Sequence, residues 1–204
     1  MDISQILQTS AAALGRRLVR QAFAHCDTED GPAVVDGIRA LQTGNVNIAL
    51  KWVQPEGESE IRDAFERAGR VRALGGEAAA LAERWFLESL VRVHRAGEGA
   101  GFDGIKPTGT HLPAQVVAAD AALEQGTIDP LRGLIDDARW PELERRFEKA
   151  LELKDFDEDD LTAARAYVHA YVSFFKFAEG EDHEHHHGHH GHHGEDEHQH
   201  GHAH

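Results

Sequence analysis

The chain has 204 residues, a mass of 22.5 kDa and a formal charge of −15 at pH 7, with a pI near 5.4. That length suits one well-cored domain or two small ones. No apolar run approaches the roughly 20 residues that a spanning helix needs, and phosphate would be repelled by the acid excess, so a soluble chain with no membrane or nucleic-acid partner is expected. Cations face the opposite field.

Residues 1–24 read as an amphipathic helix or a propeptide-like segment. Ile3, Leu7, Ala11, Leu14 and Leu18 recur at helical spacing. Arg16, Arg17 and Arg20 follow the apolar residues, whereas a secretory signal places its basic region first. With Cys26 as the single cysteine, no intrachain disulfide can form, and a cytoplasmic protein is expected.

Next comes "HCDTEDGP", residues 25–32. Imidazole and thiolate form a borderline-to-soft donor pair suited to Zn, Ni or Cu. The surrounding acids raise a thiol pKa unless a metal is present. The same residues also read as a helix start, with Asp27, Thr28 or Asp30 as N-cap, Pro32 in the first turn and Cys26 a small buried hydrophobe.

The region from about 25 to 180 carries an internal repeat. "VVDGIRALQTGNVNIAL" at 34–50 aligns with "VVAADAALEQGTIDPLR" at 116–132, and "EIRDAFERA" at 60–68 aligns without a gap on "ELERRFEKA" at 142–150. This predicts an all-α bundle of about seven helices in two tandem three-helix repeats, 25–98 and 114–180, joined by a flexible Gly-rich linker at 99–113. Gly44 and Gly126 mark the C-terminal cap of each first helix. The linker's AGEGAG has neither a preceding strand nor a following Gly-Lys-Ser/Thr, so it is a poor phosphate loop; Glu98, Lys106 and His111 are candidates to line a cleft there.

Residues needed only for packing should recur in both halves, whereas site residues need occur in one. His94 aligns with Lys176, Glu88 with Ala170, and His25-Cys26-Asp27 with Pro107-Thr108-Gly109, so the metal-ligand types fall in the first half. A 100° helical projection sets Glu83, Leu87, Leu90, Val91 and His94 on an apolar face, with Glu88, Arg92 and Arg95 toward a polar flank. Glu83 is expected to pair with an arginine. His94 reads either as a ligand meeting His25 and Cys26 or as a core histidine bonded to a backbone carbonyl. The candidate core ligands are therefore His25, Cys26, Asp27, Glu88 and His94.

Two resemblances bear on this site. "AHCD" before a Gly-containing turn and a helix is similar to the nickel hook of nickel superoxide dismutases, with Asp30 standing where the hook has its second cysteine. More broadly, "HCDTEDGP…ALQTGNVNIALKWV…FLESLVRVHRAGEGA…GIKPTG" resembles an uncharacterised bacterial helical family. That resemblance implies that the HCD motif, Glu88, His94 and Glu98 belong to one recurring unit, and it supplies no reaction.

The tail, 181–204, reads as disordered: apart from Ala203 it has no apolar side chain to bury. Of the 16 histidines, His183, His185, His186, His187, His189, His190, His192, His193, His198, His200, His202 and His204 lie here. Neutral imidazoles at this density bind nickel, zinc, copper and cobalt in interchangeable arrangements. Similar His-rich termini occur on nickel and zinc metallochaperones. The sequence therefore predicts a divalent transition-metal protein, nickel favoured, acting in storage or delivery to a metalloprotein client. A metalloenzyme that loads its own site from the tail is the alternative.

Overall fold

The computed structural model describes residues 25–180; the expectations for residues 1–24 and for the tail lie outside them. Among the described residues there are seven α-helices and no strand: α1 Pro32–Thr43, α2 Asn47–Leu50, α3 Glu58–Arg72, α4 Gly76–Gly97, α5 Ala114–Gln125, α6 Trp140–Glu152 and α7 Leu161–Glu179. No described helix is long and apolar enough to cross a membrane.

The two halves repeat at the level of single atoms. Helices α1 and α5 start at residues 32 and 114, and each stops at a glycine with positive φ, Gly44 (77°) and Gly126 (70°). Those glycines donate their N–H to Ala40 and Ala122, positions also 82 apart. A cation at or just past the end of the next long helix binds a further carbonyl: Arg72 Nη1 donates to Leu41 O at 2.6 Å, and Lys154 Nζ to Leu123 O at 2.6 Å. Both bonds satisfy carbonyls that a helix C-terminus leaves without an intrahelical donor.

Within each half the third long helix is the spine. Helices α1 and α3 pack on α4, as α5 and α6 pack on α7. Val34, Ala40, Ile61 and Ala68 are buried, and so are their equivalents Val116, Ala122, Leu143 and Ala150. Close approach of α1 to α4 requires Gly37, where an added Cβ would lie 2.6 Å from Leu87 Cδ2 and 2.9 Å from Leu90 Cδ2.

Polar bonds tie the halves together. Arg165 of α7 donates to Val53 O and Leu50 O and pairs with Glu58 at 2.7 Å. Asp159 accepts from the side chains of Asn45 and Asn47. The segment expected as a flexible linker is pinned along its middle: Lys106 N donates to Asp27 O at 2.7 Å, Glu29 N donates to Lys106 O at 2.9 Å, and Ile105 is buried.

Candidate functional site at the junction of the halves

The "HCDTED" motif sits where α4, α5 and α7 converge, and most of its side chains are already engaged. His25 Nε2 lies 2.5 Å from Asp120 Oδ2, and Tyr171 donates to Asp120 Oδ1 at 2.7 Å. His25 Nδ1 faces the same tyrosine hydroxyl at 3.4 Å, and the ring packs beside Phe175. Burial, then Asp120, hold the Tyr171 hydroxyl well above its ordinary range, so it remains a donor.

The three acids of the motif also have partners. Asp27 Oδ2 is 3.3 Å from Arg95 Nε, Glu29 Oε2 accepts from the backbone and hydroxyl of Thr108, and Asp30 accepts from Gly109 N at 3.5 Å. "HCDTED" and "GIKPTG" are thus two sides of one contact. The N-cap of α1 is Gly31, not Asp27, Thr28 or Asp30, and Pro32 follows it. A Cβ at Gly31 would sit 2.1 Å from His25 O, so the turn has no room for a side chain there.

Cys26 packs against the core. Burial raises its thiol pKa most, followed by Glu98, Asp27 and Asp120. The pocket it shares with His25, Glu98, Tyr171 and Lys176 measures about 10 Å³, room for one water at most. The thiol should therefore react with a disulfide reagent about 100-fold more slowly in the folded protein than in urea, measured by release of thionitrobenzoate. Equal rates would show that the sulfur is open.

His94 is a core histidine bonded to a carbonyl: its Nδ1 meets Trp52 O at 2.7 Å, and the ring stands edge-on to Trp52. Its Nε2 has no hydrogen-bond partner, and the nearest acid oxygen is Glu98 Oε2 at 3.9 Å. Glu98 caps α4 and also meets Lys176 Nζ at 3.5 Å and Arg95 Nη1 at 3.7 Å. His94, Glu98 and Lys176 border a cleft of about 510 Å³, with Trp52, Val53, Val168 and Val172 on its apolar walls and Arg165 at its polar edge.

Placement against expectation is mixed. His25, Cys26, Asp27, His94 and Glu98 do converge, but Glu88 stands apart, half-buried and bound to Arg84 at 2.7 Å. Lys106 pairs with Asp103 and His111 is exposed; neither borders the cleft. Arg95, assigned to a polar flank, is buried because Asp27 and the Gly101 carbonyl cover it. Glu83 meets Arg72 at 3.5 Å, as expected of a glutamate beside an apolar face. Among the described residues no group of three or more His, Cys, Asp or Glu side chains is arranged to hold a metal ion.

Asp120, Tyr171 and Lys176 were missed because the sequence argument looked for chemistry in the first half alone. A single acid within the small apolar run "VVAADAAL" was the available signal for Asp120.

Comparison with curated proteins and with solved structures gives no match. Residues 30–177, which span both halves and begin just after His25, Cys26 and Asp27, match a family of unknown function (DUF6448), and the chain belongs to that family.

Proposed function

We propose that the protein binds divalent transition-metal ions, nickel favoured over zinc, copper and cobalt, and stores them or delivers them to a metalloprotein client in the cytoplasm. The observation that supports this most is the twelve histidines between His183 and His204, interleaved with glycine and four acids and with no lysine or arginine. Glycine leaves the backbone free to wrap an ion, and the acids offset its charge. The helical core is the body that carries this segment.

A nickel titration by calorimetry tests the proposal with the full-length chain and a chain ending at Gly180. With two to four imidazoles per ion, the full-length protein should take up about three to six ions at pH 7.5, and the shortened chain should lose most of them. Uptake should fall steeply by pH 5, because imidazoles titrate near pH 6.5 and only the neutral form ligates. A full-length chain that takes up no nickel, or a shortened one that takes up as much, would overturn the proposal.

A further inference from the structure

The unpartnered nitrogen of His94 is the feature of the core that its internal contacts leave unexplained. His94 is 5% exposed and its Nε2 has no hydrogen-bond partner. A backbone carbonyl only accepts, so His94 Nδ1, at 2.7 Å from Trp52 O, carries the proton. Burial pushes the pKa of His94 down, which keeps the ring neutral and leaves Nε2 an acceptor. Glu98 Oε2, 3.9 Å away, is an acceptor too. Two facing acceptors have no hydrogen to share, and an acceptor buried without a donor is costly.

A single donor that serves both has to carry two hydrogens. Placed about 2.85 Å from each, it would see them about 90° apart, against about 109° between two N–H bonds, so each hydrogen bond bends by only about 10°. An ammonium group meets that condition, and the Glu98 carboxylate attracts its charge. The opposite charge is beside it: Lys176 Nζ lies 3.5 Å from Glu98 Oε1. Standard bond lengths put the nitrogen and the carboxylate oxygens of an α-amino acid about 3 Å apart. Such a head group matches the spacing of Glu98 and Lys176 with the signs reversed.

Beyond this pair the cleft turns apolar. Arg165, Val168, Val172 and Lys176 fall on one face of α7 and line the cleft over about 16 Å, with Trp52 and Val53 contributed by the other half. Arg165, at the far end, already donates to Leu50 O and Val53 O and pairs with Glu58 at 2.7 Å, so its charge is answered within the protein. One zwitterionic head with an apolar remainder therefore suits the cleft better than a ligand charged at both ends. The volume, about 510 Å³, and the position at the junction of the halves are those of a small-molecule site.

We propose that the cleft binds a free α-amino acid with a large apolar side chain. Its ammonium donates to His94 Nε2 and Glu98, its carboxylate pairs with Lys176, and its side chain lies over Val168 and Val172. This binding is separate from the metal uptake proposed above and requires no metal ion.

Calorimetry on full-length protein, with EDTA present so that no amino acid is captured through a bound metal, tests the site with L-leucine and L-phenylalanine. At least one should bind at one per chain with a Kd below about 1 mM. For phenylalanine, removing either charge, as in 3-phenylpropionate or phenethylamine, should weaken binding at least about tenfold. Glu98→Gln and Lys176→Met should each weaken the amino acid by a similar factor. If these variants fail to fold, the ¹⁵N shift of His94 Nε2 in the unaltered protein serves instead and should move as the amino acid is added. No binding of either amino acid up to about 10 mM overturns the site and leaves a water molecule as the donor to His94. A phenylpropionate or phenethylamine that binds as tightly as phenylalanine, or an unmoved Nε2, overturns the assigned contacts.

Discussion

Replacing Asp36 with alanine should destabilise the fold by about 3–5 kcal/mol, the cost of stranding a buried charge. Asp36 Oδ2 meets Lys51 Nζ at 2.9 Å and accepts from Trp52 Nε1 at 2.8 Å, and its other oxygen accepts from Arg39. Lys51 is 7% exposed, and Phe156, 5.1 Å from its ammonium, provides only a ring face. Without Asp36 the ammonium has to be buried unpaired or drag its segment outward. That segment carries Trp52, whose carbonyl orients His94, so the loss should also loosen the cleft. Urea unfolding of Asp36→Ala measures the cost. Adding Lys51→Met should recover a large part of it, because an apolar side chain of similar volume removes the orphaned charge. A loss below about 1 kcal/mol in the single variant would show that Lys51 finds another anion.

The bundle was legible in the sequence because its signals are local. Helical spacing of Val34, Ala40 and Leu41, glycine at 44 and again at 126, and a gap-free register each follow from one stretch of chain. The halves fold alike because the same atoms cap and pack them, down to Arg72 and Lys154. What the sequence did not disclose is how the halves meet. His25 finds Asp120 and Tyr171 from the other half, a pairing that depends on the docking of α5 and α7 against the motif and on no periodicity within either. Arg95 looks like Arg92, three residues earlier on the same helix, yet one is buried and the other exposed. The difference arises because the Gly-rich segment folds back over the end of α4 and places Gly101 O on Arg95. The acids of "HCDTED" suggested ligands, but in the fold they receive Arg95, Thr108 and Gly109.

Arg95→Ala should cost about 3–5 kcal/mol at neutral pH and less at acid pH, and Asp27 is the reason. Asp27 is 3% exposed, and its pKa is pushed up from 3.8 to about 6, mainly by burial, with Arg95 the largest opposing influence. A carboxyl whose folded pKa is raised binds more protons folded than unfolded. It therefore stabilises the fold most below about pH 4, and this contribution is lost as pH rises through about 6. The shift corresponds to about 3 kcal/mol between those limits. Glu142, lowered to about 2 by Arg145 and Arg146, acts in the opposite sense at lower pH, so the total curve hides the effect. Asp27→Asn isolates it, since the amide cannot ionise and still accepts from Arg95. The stability of Asp27→Asn minus that of the unaltered protein should rise by about 3 kcal/mol from pH 4 to pH 7, read from urea unfolding at each pH. Removing Arg95 takes away the cation that favours the ionised form, so in Arg95→Ala the pKa of Asp27 climbs and the loss extends above pH 6. A flat difference between Asp27→Asn and the unaltered protein would mean that Asp27 ionises as freely folded as unfolded, and would overturn its raised pKa.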